Sequence, residues 1–368
     1  MAKQNIDSLR LRRQKVATLE ALGWNSFFAE QALRLPDLAP ARVSVEHKHF
    51  YRVVAACGEM RADVAGRLRH QATGRDGLPA VGDWVLVQPR PLEKRATIHH
   101  ILERRSKLSR KAAGLETQEQ ILAANINTAF LLQSLNRDFN PRRLERYLAM
   151  AWDSGANPVV LLTKLDLSRD VGPFLDQVEV VAGGVPVHAL SAITGEGLEG
   201  LDPYLRLGES VVMLGSSGVG KSTLVNQLAG AHLLEVREIR EDDDRGRHTT
   251  AQRQLILLPR GGIVIDTPGM RELQLWAAGL DRTFADVEDL ARECRFRDCK
   301  HEAEPGCRVR TALQEGILDP SRFHSYRKLG AELKYLERRR DAFSMAKEKE
   351  KWKKIHKTYN RMMRERGR

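Results

Sequence analysis

The chain has 368 residues, with 60 Lys and Arg against 48 Asp and Glu, a formal charge of +12. That length exceeds one typical domain, and the basic excess points to a polyanionic partner. No run of about 18 apolar residues occurs, so a membrane-spanning helix is not expected. Met1 to Arg13 are charged and lack the apolar core of a secretory signal. Three of the four cysteines fall within Cys294–Cys307, a clustering that suggests a metal rather than disulfides and fits a reducing cytoplasm.

Residues 1–42 read as a helical arm in which Trp24, Phe27, Phe28 and Leu33 can dock on a neighbour, closed by Pro36 and Pro40. Over 43–111 the pattern changes. Short β-prone runs at 50–54, 63–68, 82–87 and 96–98 alternate with turn signals, and about five such strands predict a small closed barrel of the OB type. Arg67, Arg69, Arg75, Arg104, Arg105 and Lys107 accompany them, a composition suited to nucleic acid. Cys57 stands alone and is expected in the barrel core.

The stretch 112–280 alternates apolar strands with helices, which predicts a mostly parallel sheet covered on both faces. Strands are expected at 126–132, 158–162, 185–190, 211–214, 255–258 and 262–265, with a helix that Pro141 can start. After the second of these strands comes Thr163-Lys164-Leu165-Asp166. Asp166 can accept from both the N1–H and the exocyclic amine of guanine, a donor pair that adenine lacks, and the stem of Lys164 can lie along the base plane. Thr163 stands where this motif usually has Asn. Ser191-Ala192 follows the third strand, where the Ala192 N–H can donate to guanine O6.

The fourth strand leads into Gly215-Ser216-Ser217-Gly218-Val219-Gly220-Lys221-Ser222 and then Thr223, the GxxxxGKS spacing of a phosphate-binding loop. Backbone N–H groups there wrap a β-phosphate, Lys221 reaches the β- and γ-oxygens, and Ser222 offers its hydroxyl to Mg²⁺. Thr249 and Thr250 follow the acidic run 242–244, and either can close on Mg²⁺, Thr250 being favoured. Asp266-Thr267-Pro268-Gly269 ends the sixth strand. Asp266 can hold Mg²⁺ through water and the Gly269 N–H can sense a γ-phosphate. Met270 comes next, where many GTPases place a water-orienting Gln. His248, in the loop that closes over the phosphate, is the candidate for that task.

Beyond residue 280 the strands stop. Within residues 281–325, Cys294, Cys299, His301 and Cys307 offer three thiolates and an imidazole, a Cys₃His set suited to one closed, structural Zn²⁺. Residues 326–368 hold 16 Lys and Arg against 6 Asp and Glu with no proline, a basic helical tail whose Trp352, Ile355, Tyr359 and Met362 form one apolar stripe.

The guanine-reading segments precede the phosphate loop, whereas in ordinary small GTPases they come last. In this order, and in Gly82-Asp83-Trp84-Val85, Ser134-Leu135-Asn136 and Asp138-Phe139-Asn140-Pro141-Arg142-Arg143-Leu144-Glu145-Arg146-Tyr147, the chain resembles the circularly permuted GTPases, specifically the ribosome-small-subunit-dependent family. The likeness runs from about Val43 through the cysteine cluster; the arm and the tail fit it less specifically. It implies an N-terminal OB barrel, a permuted α/β P-loop domain and a C-terminal helical zinc domain. It also implies GTP hydrolysis stimulated by the 30S subunit, binding to 16S rRNA, a role in late 30S maturation, and the same switch-loop histidine. A cytoplasmic monomer is expected. An RNA-binding factor using GTP only as a structural ligand, an ATPase or kinase, and a translation GTPase are the rivals; intact Lys221, Ser222, Asp266 and Gly269 oppose the first and Asp166 the second.

Overall fold

The computed structural model describes residues 18–72, 74–111, 119–234, 253–267 and 279–339. Strands β1 (Ala39–Glu46), β2 (Tyr51–Ala55), β3 (Gly58–Val64), β4 (Trp84–Arg90) and β5 (Arg95–Ile101) pair in the cyclic order β1-β2-β3-β5-β4-β1. This is the expected five-stranded barrel, and its first strand begins at Ala39, ahead of residue 43. Alternate residues point inward, so Val43, Val53, Met60, Ala62, Val85, Val87 and Ile98 fill the interior. The β-prone run 63–68 is split, because the strand ends at Val64 and Gly66–Gln71 form helix α2. Cys57 is exposed, in the turn between β2 and β3, not in the core: a two-residue turn at a barrel rim has no interior to enter.

In the arm, Asn25 caps helix α1 (Ser26–Ala32) by accepting from the Phe27 N–H. Trp24 meets the fully buried Trp84 edge-on at 4.7 Å, and Phe28 lies 5.8 Å from the same indole. Leu33 does not dock; it is 78% exposed beyond the helix end. Arg42 is 1% exposed and fastens three parts of the chain, donating to the carbonyls of Leu22 in the arm, Gly82 in the barrel and Asn125 beyond it. Its burial pushes the guanidinium pKa down to about 10, with Asp83 opposing.

Two strands not expected from the sequence, β6 (Lys107–Lys111) and β7 (Glu119–Ala124), form a separate antiparallel pair. The chain then enters the second sheet at its middle. Strand β8 (Thr128–Ser134) is followed outward by β9 (Asn157–Thr163) and β10 (Val187–Ala189), then the chain returns to β11 (Ser210–Leu214) on the other side of β8. β12 (Gln254–Leu257) and β13 (Ile263–Asp266) complete the order β10-β9-β8-β11-β13-β12. All neighbours are parallel except β12, which runs antiparallel to β13.

Helices α3 (Pro141–Ser154) and α4 (Gly172–Ala182) cover one face with Leu144, Leu148, Val178 and Val181. Helix α5 (Lys221–Ala229) covers the other with Leu224 and Val225. The two sheets are continuous. β1 bends at a bulge between Val43 and Val45; its first half closes the barrel on β4 and its second half pairs with β12 at Val45↔Gln254. Arg253 reinforces that joint with an ion pair to Glu46 at 2.8 Å.

Residues 280–292 form two helices, α6 (Leu280–Thr283) and α7 (Ala285–Arg292), separated at Phe284, whose ring is fully buried. The cysteine segment, α8 (Arg308–Gln314) and a helix α9 over 320–339 follow. Buried ion pairs bind this part to α3. Glu145, 0% exposed, accepts from Arg142 and from Arg322, which also chelates Asp286 at 2.6 and 2.7 Å. Arg146 forms a bidentate pair with Glu332, both contacts at 2.9 Å. The apolar stripe at 352–362 and most of the basic tail lie outside the described residues, as do residues 1–17 of the arm.

Candidate guanine-nucleotide site and metal cluster

The candidate residues gather where β9, β10, β11 and β13 end, because parallel strands with crossovers send their following loops to one edge. The phosphate loop leaves β11 and enters α5. Gly215 has no room for a side chain, since a Cβ would meet Val219 Cγ1 at 2.8 Å and Leu132 O at 3.2 Å. Gly220 adopts φ +105°, the conformation that lets the chain turn into the first helical residue, Lys221. Lys221 Nζ donates to the Gly215 and Ser216 carbonyls at 2.7 and 2.5 Å. Burial brings its pKa down to about 8, against the raising effect of Asp266 and Asp138. Ser217, Gly218, Val219, Ser222 and Thr223 lie on the same loop and helix start.

The candidate base-reading segments are tied to this loop and to each other by their own hydroxyls. Thr163 is 2% exposed and donates to the Val219 carbonyl at 2.7 Å. The residue that replaces the usual Asn is therefore a strut between β9 and the phosphate loop. Lys164 takes a left-handed φ of +63°, which turns the chain so that Asp166 faces β10. Ser191 Oγ donates to Asp166 Oδ1 at 2.6 Å and itself accepts from the Ile193 and Thr194 N–H groups. Ser191 and Ala192 thus stand beside the carboxylate that the sequence sets 25 residues earlier, and the serine hydroxyl orients it.

Asp266 closes β13 beside the phosphate loop, since β11 and β13 are paired at Val212↔Ile265. Burial raises its carboxyl to about 6 while Lys221 pulls it down. The neighbouring Thr267 hydroxyl is buried with no partner among the described residues. A half-compensated carboxylate within reach of Lys221 and an unpaired neighbouring hydroxyl fit a hydrated divalent cation, whose charge would hold Asp266 ionised. His248, Thr249, Thr250, Gly269 and Met270 lie outside the described residues.

A contact without a motif of its own lies on the other side of the loop. Asp138 Oδ2 accepts from Ser216 Oγ at 2.6 Å, across 78 residues of sequence.

In the C-terminal part, the ligand atoms of Cys294, Cys299, His301 and Cys307 all lie within 4.8 Å of one another. Cys294 and Cys307 sulfurs are 3.9 Å apart, and His301 Nδ1 lies 3.6 and 3.4 Å from them. Tetrahedral Zn²⁺ with Zn–S of about 2.3 Å and Zn–N of about 2.0 Å has ligand edges of about 3.5–3.8 Å, which the Cys294, His301 and Cys307 separations match, and Cys299 lies near enough to complete a metal-binding set. His301 is held at φ +59°, and the Glu304 carboxylate gathers the N–H groups of Lys300, Glu302 and Ala303, which takes its pKa down to about 2. This cage of backbone donors shapes the turn that presents the imidazole.

The RsgA GTPase family model matches residues 101–276. The small ribosomal subunit biogenesis GTPase RsgA of Opitutus terrae is 47% identical over 92% of this chain and 96% of its own length. An RsgA protein of Lactiplantibacillus plantarum is 49% identical over 80% and 83%. Among solved structures, YjeQ from Thermotoga maritima superposes with a TM-score of 0.59 at 25% identity, covering 80% of this chain and 98% of that one. YloQ, described as a circularly permuted GTPase, gives 0.57 at 24% identity over 81% and 95% and supports the same fold. With the phosphate-loop sequence, the Asp166 carboxylate held by Ser191 and the permuted strand order together in one chain of this ancestry, the protein belongs to the RsgA family of small ribosomal subunit biogenesis GTPases, enzymes that hydrolyse GTP.

Proposed function

We propose that this GTP hydrolase binds the 30S subunit through 16S rRNA, assists its late maturation, and leaves after a hydrolysis step that the subunit stimulates. The observation that carries the reading is the union, in one chain 47% identical to an RsgA protein over nearly its whole length, of an intact nucleotide loop set with a barrel and a Cys₃His module. A charge of +12 supports a polyanionic partner.

In this reading Asp166, Lys164, Thr163, Ser191 and Ala192 hold guanine, and Gly215 to Thr223 cradle the phosphates. Lys221 neutralises charge that builds on the β–γ bridge as the bond breaks. Ser222, Thr250 and water-bridged Asp266 would hold Mg²⁺, which supplies further neutralisation of the β- and γ-oxygens. Gly269 senses the γ-phosphate, and His248 orients the attacking water in place of a residue that Met270 cannot supply. Cys294, Cys299, His301 and Cys307 would hold one structural Zn²⁺.

The chain divides into an arm (1–42), an OB barrel (43–111), the permuted GTPase domain (112–280), the zinc domain (281–325) and a basic tail (326–368). It acts as a cytoplasmic monomer, consistent with the lack, among the described residues, of any helix long and apolar enough to cross a membrane.

The test is GTP turnover measured side by side with 30S, 50S and 70S particles. Stimulation by 30S alone is expected. Stimulation by 70S rather than 30S favours a translation GTPase, and no turnover with any particle favours a structural nucleotide; either outcome, or equal turnover with all three, refutes the reading.

A further inference from the structure

We propose that Asp138 is a positioning residue for GTP hydrolysis: tied to Arg143, its carboxylate fixes the phosphate loop through Ser216 and thereby seats Lys221. The proposal rests on reading Gly215–Ser222 as the phosphate site.

Asp138 is itself held. It lies in the connection between β8 and α3, where Asn136 Oδ1 accepts from the Asp138 N–H at 3.0 Å and from Ser134 Oγ at 2.8 Å. The same connection is pinned at its far end, because the Asn140 N–H donates to Gln133 Oε1 at 3.2 Å and the Asn140 side chain caps α3 through the N–H groups of Arg142 and Arg143. From the first turn of that helix Arg143 reaches back to Asp138 Oδ1 at 3.0 Å and to the Asp138 carbonyl. One carboxylate oxygen is therefore committed to the guanidinium and the other to the Ser216 hydroxyl.

The chain of contacts continues into the site. Ser216 is the second residue of the phosphate loop, and its carbonyl, with that of Gly215, receives Lys221 Nζ. A hydroxyl locked on one side of Ser216 limits rotation of the peptide whose carbonyl holds the ammonium on the other. Asp138 and Arg143 also lie within electrostatic reach of Lys221, acting on it with opposite sign. A lone carboxylate at this distance would repel a triphosphate; paired with Arg143 it serves as an anchor at little electrostatic cost. None of the five guanine-nucleotide motifs contains this residue. Its functional content comes from a contact between loops 78 positions apart.

The experiment uses the full chain and four variants, Asp138→Ala, Ser216→Ala, Ser216→Thr and the double Asp138→Ala/Ser216→Ala, with kcat/KM for GTP and the melting temperature as readouts. Losing a hydrogen bond to a charged group should lower kcat/KM about tenfold in each alanine variant. The double variant should be no worse than the worse single, because both remove one tether. Ser216→Thr, which keeps the hydroxyl, should recover most of the loss, and melting temperatures should stay together. Unchanged kcat/KM, multiplying losses in the double variant, or melting temperatures that fall in step with turnover would each overturn the proposal. Lys221→Ala separates the two levels. If it is inactive while Asp138→Ala matches the wild type, only the tether is wrong; if it retains turnover, the phosphate-site reading falls first.

Discussion

In the proposed reading Asp166 carries the choice of base, and its surroundings allow the effect of losing it to be sized. Its Oδ1 already accepts from Ser191 Oγ at 2.6 Å, and Ser191 is fully buried, so the carboxylate is oriented before any base arrives. Guanine then brings two donors to it. Hydrogen bonds to a charged group contribute about 1.5–3 kcal/mol each, so the pair is worth about 3–6 kcal/mol, or ~10²- to 10⁴-fold in Kd. Asp166→Asn turns one acceptor into an N–H that opposes a guanine donor. The variant should lose GTP by at least about 100-fold and gain affinity for xanthosine triphosphate, whose C2 carbonyl can meet the new N–H. Inosine triphosphate lacks the C2 amine and should bind the wild type about tenfold to 100-fold more weakly than GTP, having lost one bond of the two. Competition of the three triphosphates against a fluorescent guanine nucleotide measures all of these. If Asp166→Asn binds GTP within about threefold of the wild type, the carboxylate does not read the base.

Three other outcomes follow from the geometry. Cys299→Ser, or extended dialysis against a strong chelator, should remove one zinc per chain by elemental analysis and lower the melting temperature, since a structural site contributes folding energy; a metal-free chain of unchanged melting temperature would refute the assignment. Arg322→Ala leaves Glu145 buried with only Arg142 to face it, and should cost about 3 kcal/mol in urea denaturation, with Arg322→Met/Glu145→Gln recovering much of the loss. An Arg322→Ala midpoint equal to that of the wild type would mean that the network is not the clamp between α3 and α9. His248→Ala should lower 30S-stimulated turnover and leave GTP affinity nearly unchanged; equal stimulated turnover would remove His248 from the hydrolysis step.

The parts of this molecule that are legible in its sequence are those set by local spacing. The phosphate loop, the Thr163–Asp166 segment and the four metal-ligand positions are short runs whose geometry is fixed by a strand end, a tight turn or a helix start. Their order along the chain discloses the permutation as well. What spacing does not encode is pairing between distant side chains. Ser191 Oγ on Asp166, Thr163 on the Val219 carbonyl and Ser216 on Asp138 join residues 25, 56 and 78 positions apart, and nothing in any one segment announces its partner. Thr163, standing where the motif usually has Asn, is a strut to the phosphate loop. The run 63–68 read as a strand because its apolar residues alternate, but Gly66 begins a helix once β3 has met its partner β5. Lone apolar residues are the hardest to place from sequence: Leu33 is expected to dock and Cys57 to enter the barrel core, and both are exposed.

The joint between the sheets has a consequence for how the chain stays soluble. On the nucleotide side, β12 is the last strand, and a terminal strand presents unpaired N–H and C=O groups to any other chain that can add to it. Here β1 covers the start of that edge through the Val45↔Gln254 pair, with Arg253 and Glu46 bridging across it. The barrel therefore acts as an edge guard for the catalytic sheet. Cutting the chain between them would do more than remove the barrel: it would uncover a sticky rim on the enzyme itself, on the strand that follows the segment containing His248 and Thr250 in sequence.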